Sequence, residues 1–251
     1  FKPHVVAWRL PRALGVPWLA YAHGWTAETW RVRLYNVLER RLLTQPDHVC
    51  AVAPPLADAL RAAGRDGPLS VIPNGLDASP EPVSAAERAA ARQRFGIDSE
   101  DCLAVAAGRL SPEKGFDLLL AAFARAAADE PRLRLLLAGE GPERPRLEAA
   151  IARAGLERRV RLLGQVPDIR PVLAAGDLLV VPSRTEGLPN IVLEGLDCSL
   201  PVLATRVGAL PDLVHDGTTG WLVPAGDVGA LADGLRRAAR AADLATLGER
   251  G

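Results

Sequence analysis

Beyond residue 100 the chain alternates short apolar runs with longer stretches of helical spacing. Residues 102–107, 133–138, 160–163, 178–181, 201–204 and 220–223 are dominated by apolar side chains. A strand with one wet face shows a polar residue at every second position; runs without that alternation belong to strands buried on both faces. Between them, 116–128, 143–154, 169–175, a stretch through Ile191, Val192, Leu193 and Leu196, and 228–241 are of helical character, closed by glycine or proline signals. Repeated strand–helix units predict an α/β fold with a parallel sheet covered on both faces. Ligands of such sheets bind past the carboxyl ends of the strands, so the loops that follow strands are the candidates for chemistry.

The first hundred residues carry a looser version of the same pattern. Residues 16–22 read as a strand running into His23-Gly24, 48–53 as a second and 69–72 as a third. A helix over 28–43 places Val32, Tyr35, Leu38 and Leu42 on one side and Arg31, Arg33, Arg40 and Arg41 elsewhere. A short helix follows over 55–63, and 73–77 is turn chemistry. Residues 78–99 are rich in Ala, Arg, Glu and Pro without a strand, and predict a linker with a surface helix at about 85–95. The expected division is 1–77, a linker over 78–100, and a second domain over 101–251.

Composition narrows the classes. The chain has 251 residues, 49% hydrophobic and 24% charged, with zero formal net charge. That excludes a disordered chain and gives no electrostatic footprint for nucleic acid. No run approaches the ~20 apolar residues of a membrane span, and no signal peptide is visible at the start. Cys50, Cys102 and Cys198 are far apart and lack metal spacing, as buried thiols of a cytoplasmic protein would be. There is no methionine, and the only lysines are Lys2 and Lys114. In so arginine-biased a chain, the lysine at 114 stands out.

The densest chemistry lies at 182–194, Pro-Ser-Arg-Thr-Glu-Gly-Leu-Pro-Asn-Ile-Val-Leu-Glu. It reads as the end of a strand, a loop, and a helix with Pro189 suited to its first turn. Glu186 sits on the loop and Glu194 two turns into the helix, while Gly187 and Leu188 offer backbone N–H groups where an anion is welcome. An acid at a helix start also complements the dipole with no ligand at all. The loop at 108–115, Gly-Arg-Leu-Ser-Pro-Glu-Lys-Gly, puts Arg109 and Lys114 beside a helix start, a good diphosphate site. It is not a Walker loop. Gly139-Glu140-Gly141-Pro142 is a tight strand-to-helix turn, weak as a motif alone. No Asp-x-Asp metal signature and no Ser-His-Asp or Cys-His arrangement is present.

Taken in order, these three segments with Pro201-Val202-Leu203-Ala204-Thr205 and Asp216-Gly217-x-x-Gly220-Trp221-Leu222-Val223 resemble the retaining glycosyltransferases of the GT-B fold (group 1, family 4). The likeness is close from about 103 onward and looser from Val16. It implies two Rossmann-like domains facing a cleft, the first an incomplete acceptor-side domain and the second the domain that binds the nucleotide-sugar. It implies that Arg109 and Lys114 hold the diphosphate and stabilise the leaving nucleotide. Glu186 would contact the sugar hydroxyls, and the backbone from Gly187 through Leu188 and Pro189 to Asn190 would lie near sugar and phosphate. Glu194 would accept from the ribose hydroxyls. Gly108 and Gly139 would line the donor, and the loop from Gln165 and Val166 to Ile169 would frame the base. His23 would reach across the cleft to the sugar.

The resemblance implies a UDP-, GDP- or ADP-sugar donor, a carbohydrate or lipid-linked acceptor, and no cofactor or metal for the chemistry. It implies no nucleic acid and no obligate protein partner. The arginine-rich helix is compatible with peripheral contact at an anionic membrane surface, although a solvated face over a core is the simpler reading. The family's opening strand and Gly-rich loop would lie before Phe1, and the segment that crosses back would lie after Gly251. Asp197 and Ser199 stand where small residues and glycine are more usual, and Asp212 where Glu is. A sugar-nucleotide-binding fragment without turnover and an epimerase of related fold are the alternatives. A dinucleotide oxidoreductase lacks its glycine fingerprint.

Overall fold

The computed structural model describes residues 14–24, 30–75, 82–241, 244 and 247. The expected helix start at 28 and 29 and the turn residues 76 and 77 lie outside these. The chain divides into two compact units, Phe1–Gly75 with Thr185–Pro189, and Leu76–Arg184 with Asn190–Gly251.

The first unit holds β1 (Leu19–Ala22), α1 (Trp30–Leu42), β2 (His48–Ala51), α2 (Pro54–Ala62) and β3 (Leu69–Val71). The strands form a parallel sheet in the order β1-β2-β3. Trp18, Leu43, Val49, Ala51, Val52, Leu56 and Leu60 are its buried apolar residues. The expectation for α1 is only partly met: Tyr35 and Leu38 are exposed, as are Leu34 and Val37. Strands of three and four residues offer too little apolar area to cover a 13-residue helix along its length. Arg65, 1% exposed, closes the unit from within. It donates to the carbonyls of Thr44, Pro46, Asp47 and Pro68.

The second unit is a six-stranded parallel sheet. Its elements are α3 (Ala85–Phe95), β4 (Cys102–Ala107), α4 (Phe116–Asp129), β5 (Leu133–Ala138), α5 (Arg144–Arg153), β6 (Val160–Gly164) and α6 (Arg170–Ala175). They continue with β7 (Leu178–Val181), α7 (Asn190–Asp197), β8 (Val202–Thr205), α8 (Leu210–Leu213), β9 (Gly220–Val223) and α9 (Val228–Arg240). The strand order is β6-β5-β4-β7-β8-β9. Side chains alternate along each strand. Ala104, Ala106, Leu135, Leu137, Leu178 and Val180 therefore pack with α4, α5 and α9, while Leu103, Val105, Leu136, Leu179 and Val181 pack with α3, α6 and α7. Both faces are buried, which is why the runs carry no polar alternation.

The helix expected as a surface element of the linker is more deeply built in. Ser84 caps α3 by accepting from the Glu87 N–H at 3.1 Å, and Gly96 ends it in the left-handed region. Its Ala91, Arg92 and Phe95 are buried. Arg92 donates to Asp177 at 3.0 Å, and Asp177 also accepts from Arg88 and from the Leu103 N–H at 2.7 Å. The three cysteines carry no disulfide. Burial first, with neighbouring carboxylates, pushes the Cys102 thiol up to about 12, and burial pushes Cys198 up to about 11. Thiols held protonated in this way are poor nucleophiles.

Helix α7 ends in a Schellman motif without its usual glycine. Leu200 N–H donates to Gly195 O at 2.9 Å and Ser199 N–H to Leu196 O at 2.8 Å. Ser199 thereby adopts φ 56°, where a β-carbon is crowded against the backbone. Ser199→Gly is expected to raise stability by about 1 kcal/mol, the left-handed penalty less the entropy that glycine adds to the unfolded chain. Urea unfolding of the two proteins checks this; equal or lower midpoints for the glycine variant refute it.

Candidate functional site

In the second unit, the sheet order reverses between β4 and β7. The chain leaves β4 toward one face, where α4 lies, and leaves β7 toward the other, where α7 lies. A crevice at the carboxyl ends of the strands follows from that divergence. Beside it is a cavity of about 370 Å³, lined by Ala107 and Gly108 after β4, Ala138 and Gly139 after β5, the loop from Gln165 to Ile169 after β6, and Ile191 and Glu194 on α7. Gly108, Gly139, Gln165, Val166 and Glu194, singled out in the sequence, are thus brought together. The volume suits a small ligand, and the wall is apolar with few polar groups, the usual composition of such sites.

A larger concavity of about 660 Å³ lies at the opposite, amino-terminal end of the strands, among Arg88, Arg92, Asp98 and Asp177. Its Arg88, Arg92 and Asp177 are already paired with each other or with backbone carbonyls. The strand-end cavity, which holds Glu194, is on the side where these folds bind ligands.

The β4 loop is held down on two sides. Leu110 is fully buried, its N–H donating to Glu140 O at 2.9 Å while its carbonyl accepts from Glu143 N–H at 2.9 Å. Gly139, at φ 133°, lies so near the loop that an added β-carbon would sit 1.8 Å from Gly108 O. Only glycine fits there, a stronger requirement than the sequence motif conveys. With Leu110 turned inward, Arg109 points outward and is exposed. Residues 112–114 form one turn of 3₁₀ helix, closed by Gly115 at φ 67°. Lys114 is half-buried, and its Cδ and Cε lie against Gly108, which lines the cavity.

Glu194 is half-buried in the second turn of α7, and desolvation there holds its carboxyl above the ordinary range. Hydroxyl donors arriving in the cavity would oppose that shift by favouring the charged form. Asn190 heads α7 and is exposed, and Pro189 stands one residue before the helix, not inside its first turn. Glu186, Gly187, Leu188 and Pro189 belong to the first unit with His23. Within that unit Gly187 is pressed to His23-Gly24, since an added β-carbon at Gly187 would lie 2.5 Å from His23 O. His23 is exposed, its ring 4.8 Å from that of Tyr21, whose hydroxyl donates to Ile72 O at 2.5 Å. Among the described residues no three His, Cys, Asp or Glu side chains gather as a metal cluster would, and no helix is long and apolar enough to cross a membrane.

One pair escaped the sequence reading. Arg184 donates to both carboxylate oxygens of Asp117, at 2.7 and 2.8 Å. This hydrogen bonding is the main reason the Asp117 carboxyl lies below its ordinary range and the Arg184 guanidinium above its own. Arg184 falls at a variable position of its motif and Asp117 just outside the other, so spacing gave no signal.

A doubly wound parallel sheet with a cavity beside its switch point is the architecture of α/β proteins that take small ligands at their strand ends. Comparison with known proteins narrows the class. The model of the group 1 glycosyl transferases matches residues 101–241, and that of glycosyltransferase family 4 matches residues 1–79. The chain belongs to the group 1 glycosyltransferases, and its parallel α/β sheets match the structures of GT-B members. It is 34% identical over 154 residues to an alpha-D-kanosaminyltransferase of Streptomyces kanamyceticus, covering 61% of this chain and 40% of the relative. It is 35% identical over 191 residues to a D-inositol 3-phosphate glycosyltransferase of Geodermatophilus obscurus, covering 72% and 42%. The chain thus spans less than half the length of these two relatives. Among solved structures, Anabaena HepE in complex with UDP and glucose superposes with a TM-score of 0.88 at 27% identity, over 99% of this chain and 69% of HepE.

Two outcomes follow from the titrating groups. A carboxyl whose folded pKa is raised above 4.5 costs stability in full above that folded value, and the cost shrinks as pH falls from the folded value toward 4.5 and is gone below it. Glu194→Gln is therefore expected to stabilise the ligand-free chain at pH 7 and to lose that advantage in acid; equal unfolding midpoints at pH 7 would refute this. Asp117 is the opposite case. Its lowered pKa contributes stability that is complete well above 3.8 and disappears as pH falls through the folded value. The deficit of Asp117→Asn at neutral pH should close in acid, and a deficit that persists unchanged at low pH would be inconsistent with it.

Proposed function

We propose that this chain carries the donor-binding unit of a glycosyltransferase that moves a hexose from a uridine diphosphate sugar to a carbohydrate or lipid-linked acceptor, with retention of anomeric configuration. The observation that carries the reading is the strand-end cavity, where Gly108, Gly139, Gln165, Val166 and Glu194 meet beside the stem of Lys114. The uridine base is favoured because HepE, similar over nearly the whole of this chain, was solved with UDP, with UDP and glucose, and with UDP-glucose.

In this reading the base lies along the backbone of residues 165–169. Glu194 accepts from the ribose hydroxyls, which a carboxylate can do in pairs. The two phosphates run toward Arg109 and Lys114. As the bond from the anomeric carbon to the β-phosphate oxygen breaks, negative charge collects on the departing diphosphate. Cations already in position stabilise that charge without reorganising. A new bond forms from the acceptor oxygen to the anomeric carbon on the face the diphosphate leaves, and a phosphate oxygen takes the acceptor's proton. Glu186 and His23 serve the sugar: Glu186 accepts from its hydroxyls and His23 orients it. No cofactor or metal is required by this scheme.

Thermal unfolding of the chain with UDP, GDP, ADP and their common sugars tests the donor site. At a hundredfold excess over the dissociation constant a ligand adds about 2.7 kcal/mol. The expected result is a shift with UDP and UDP-sugars that Lys114→Ala and Glu194→Ala both abolish. A shift with GDP or ADP alone would overturn the uridine assignment, and none with any nucleotide would overturn the donor site.

A further inference from the structure

The proposed diphosphate cations sit on a segment with little structure of its own. A single 3₁₀ turn over Pro112–Lys114 is too short to persist unaided. Arg184 grips this segment. Its N–H donates to Glu113 O at 2.7 Å, its guanidinium donates to Pro112 O at 2.7 Å, and its two terminal nitrogens hold the Asp117 carboxylate at 2.7 and 2.8 Å. All four bonds fall on 112–117, the residues that flank Lys114 on both sides.

The side from which Arg184 reaches is itself fixed. Pro182 O lies where a β-carbon on Gly115 would sit, 2.1 Å from the ideal position, so the two chains touch backbone to backbone. Thr205, fully buried, donates its hydroxyl to Ser183 O at 2.6 Å. Residues 182, 183 and 184 are thus tied in turn to α4's entry, to β8 and to the 3₁₀ turn. Beneath that turn the Glu113 side chain is buried and hydrogen-bonded to the Ser111 hydroxyl.

We propose that Arg184 is a positioning residue for the donor's second phosphate. Its fork on Asp117 and Pro112 holds the 3₁₀ turn so that Lys114 faces the crevice between β4 and β7. It acts through geometry, since its own charge is matched by Asp117. The inference rests on the donor-site reading above, and the following experiment separates their failures.

UMP and UDP affinities are measured by calorimetry on the whole chain and on Arg184→Gln and Asp117→Asn. The wild-type chain is expected to bind UDP more tightly than UMP. Both variants are expected to keep the UMP affinity, which also reports that they fold, and to lose about ten- to a hundredfold of the UDP-over-UMP ratio, the loss that ångström-scale misplacement produces. The second variant discriminates charge from position. Asp117→Asn leaves Arg184 with an unmatched positive charge, so a simple charge effect would tighten UDP binding and refute the positioning role. An unchanged ratio in either variant, or parallel losses for UMP and UDP, would refute it as well. If the wild-type chain binds neither nucleotide, the donor-site reading falls and takes this inference with it.

Discussion

The pairing of β4 with β7 governs this molecule. These strands are far apart in sequence yet adjacent in the sheet, with Ala104 opposite Leu178 and Val105 opposite Leu179. Within this sheet β5 and β6 are added on one side of β4, and β7, β8 and β9 on the other. Because the helices that follow the two strands pack on opposite faces, their loops diverge at the carboxyl end and cannot fill the space between them. The crevice is thus a by-product of building a sheet from both sides of its first strand. Burial of both sheet faces stabilises the arrangement, and the site occupies the place that packing leaves open.

That origin explains why the polar groups at the site tolerate unfavourable surroundings. Glu194 is partly desolvated, and Gly139 and Gly108 stand closer than any side chain would permit. Such features cost stability locally and persist because the surrounding sheet over-determines them. The loops are tied down by bonds distant from the cavity, Leu110 to the β5 loop on one side and Arg184 to the 3₁₀ turn on the other. A binding group is only as well placed as the residues that hold its own backbone.

The chain's preference for arginine acquires a physical meaning in this light. Arg65, Arg92 and Arg184 each gather several backbone carbonyls or a carboxylate, a task suited to a planar fork with five donors and weak hydration. Lysine, a compact and strongly hydrated charge, could not bridge such sets at similar cost. The lysine at 114 is placed differently, with its stem lying along the wall of the cavity.

Much of this was legible in the order of residues. The strands of the second unit, the helices between them and the parallel sheet follow from periodicity and from glycine and proline punctuation, all properties of neighbours along the chain. The glycines and Glu194 of the cavity were legible because each belongs to a loop after a strand or, for Glu194, to the helix such a loop opens, and every such loop in a parallel sheet reaches the same end. The exposure of Tyr35 and Leu38 was not, because the amphipathic pattern of α1 does not report how small a sheet it meets. The depth of α3 was hidden because Arg92, a polar residue in the pattern, is buried by its bonds to Asp177 and to the carbonyls of Asp98 and Asp101. Arg184 and Asp117 are 67 residues apart. Nothing local selects that pairing among the 30 basic and 30 acidic residues of the chain. Which segments become strands and helices, and which loops share an end of the sheet, depends on short-range sterics and patterning and can be read along the chain. Which side chains meet emerges with the folded packing, because hydrogen bonds depend on distances of a few tenths of an ångström that folding alone establishes.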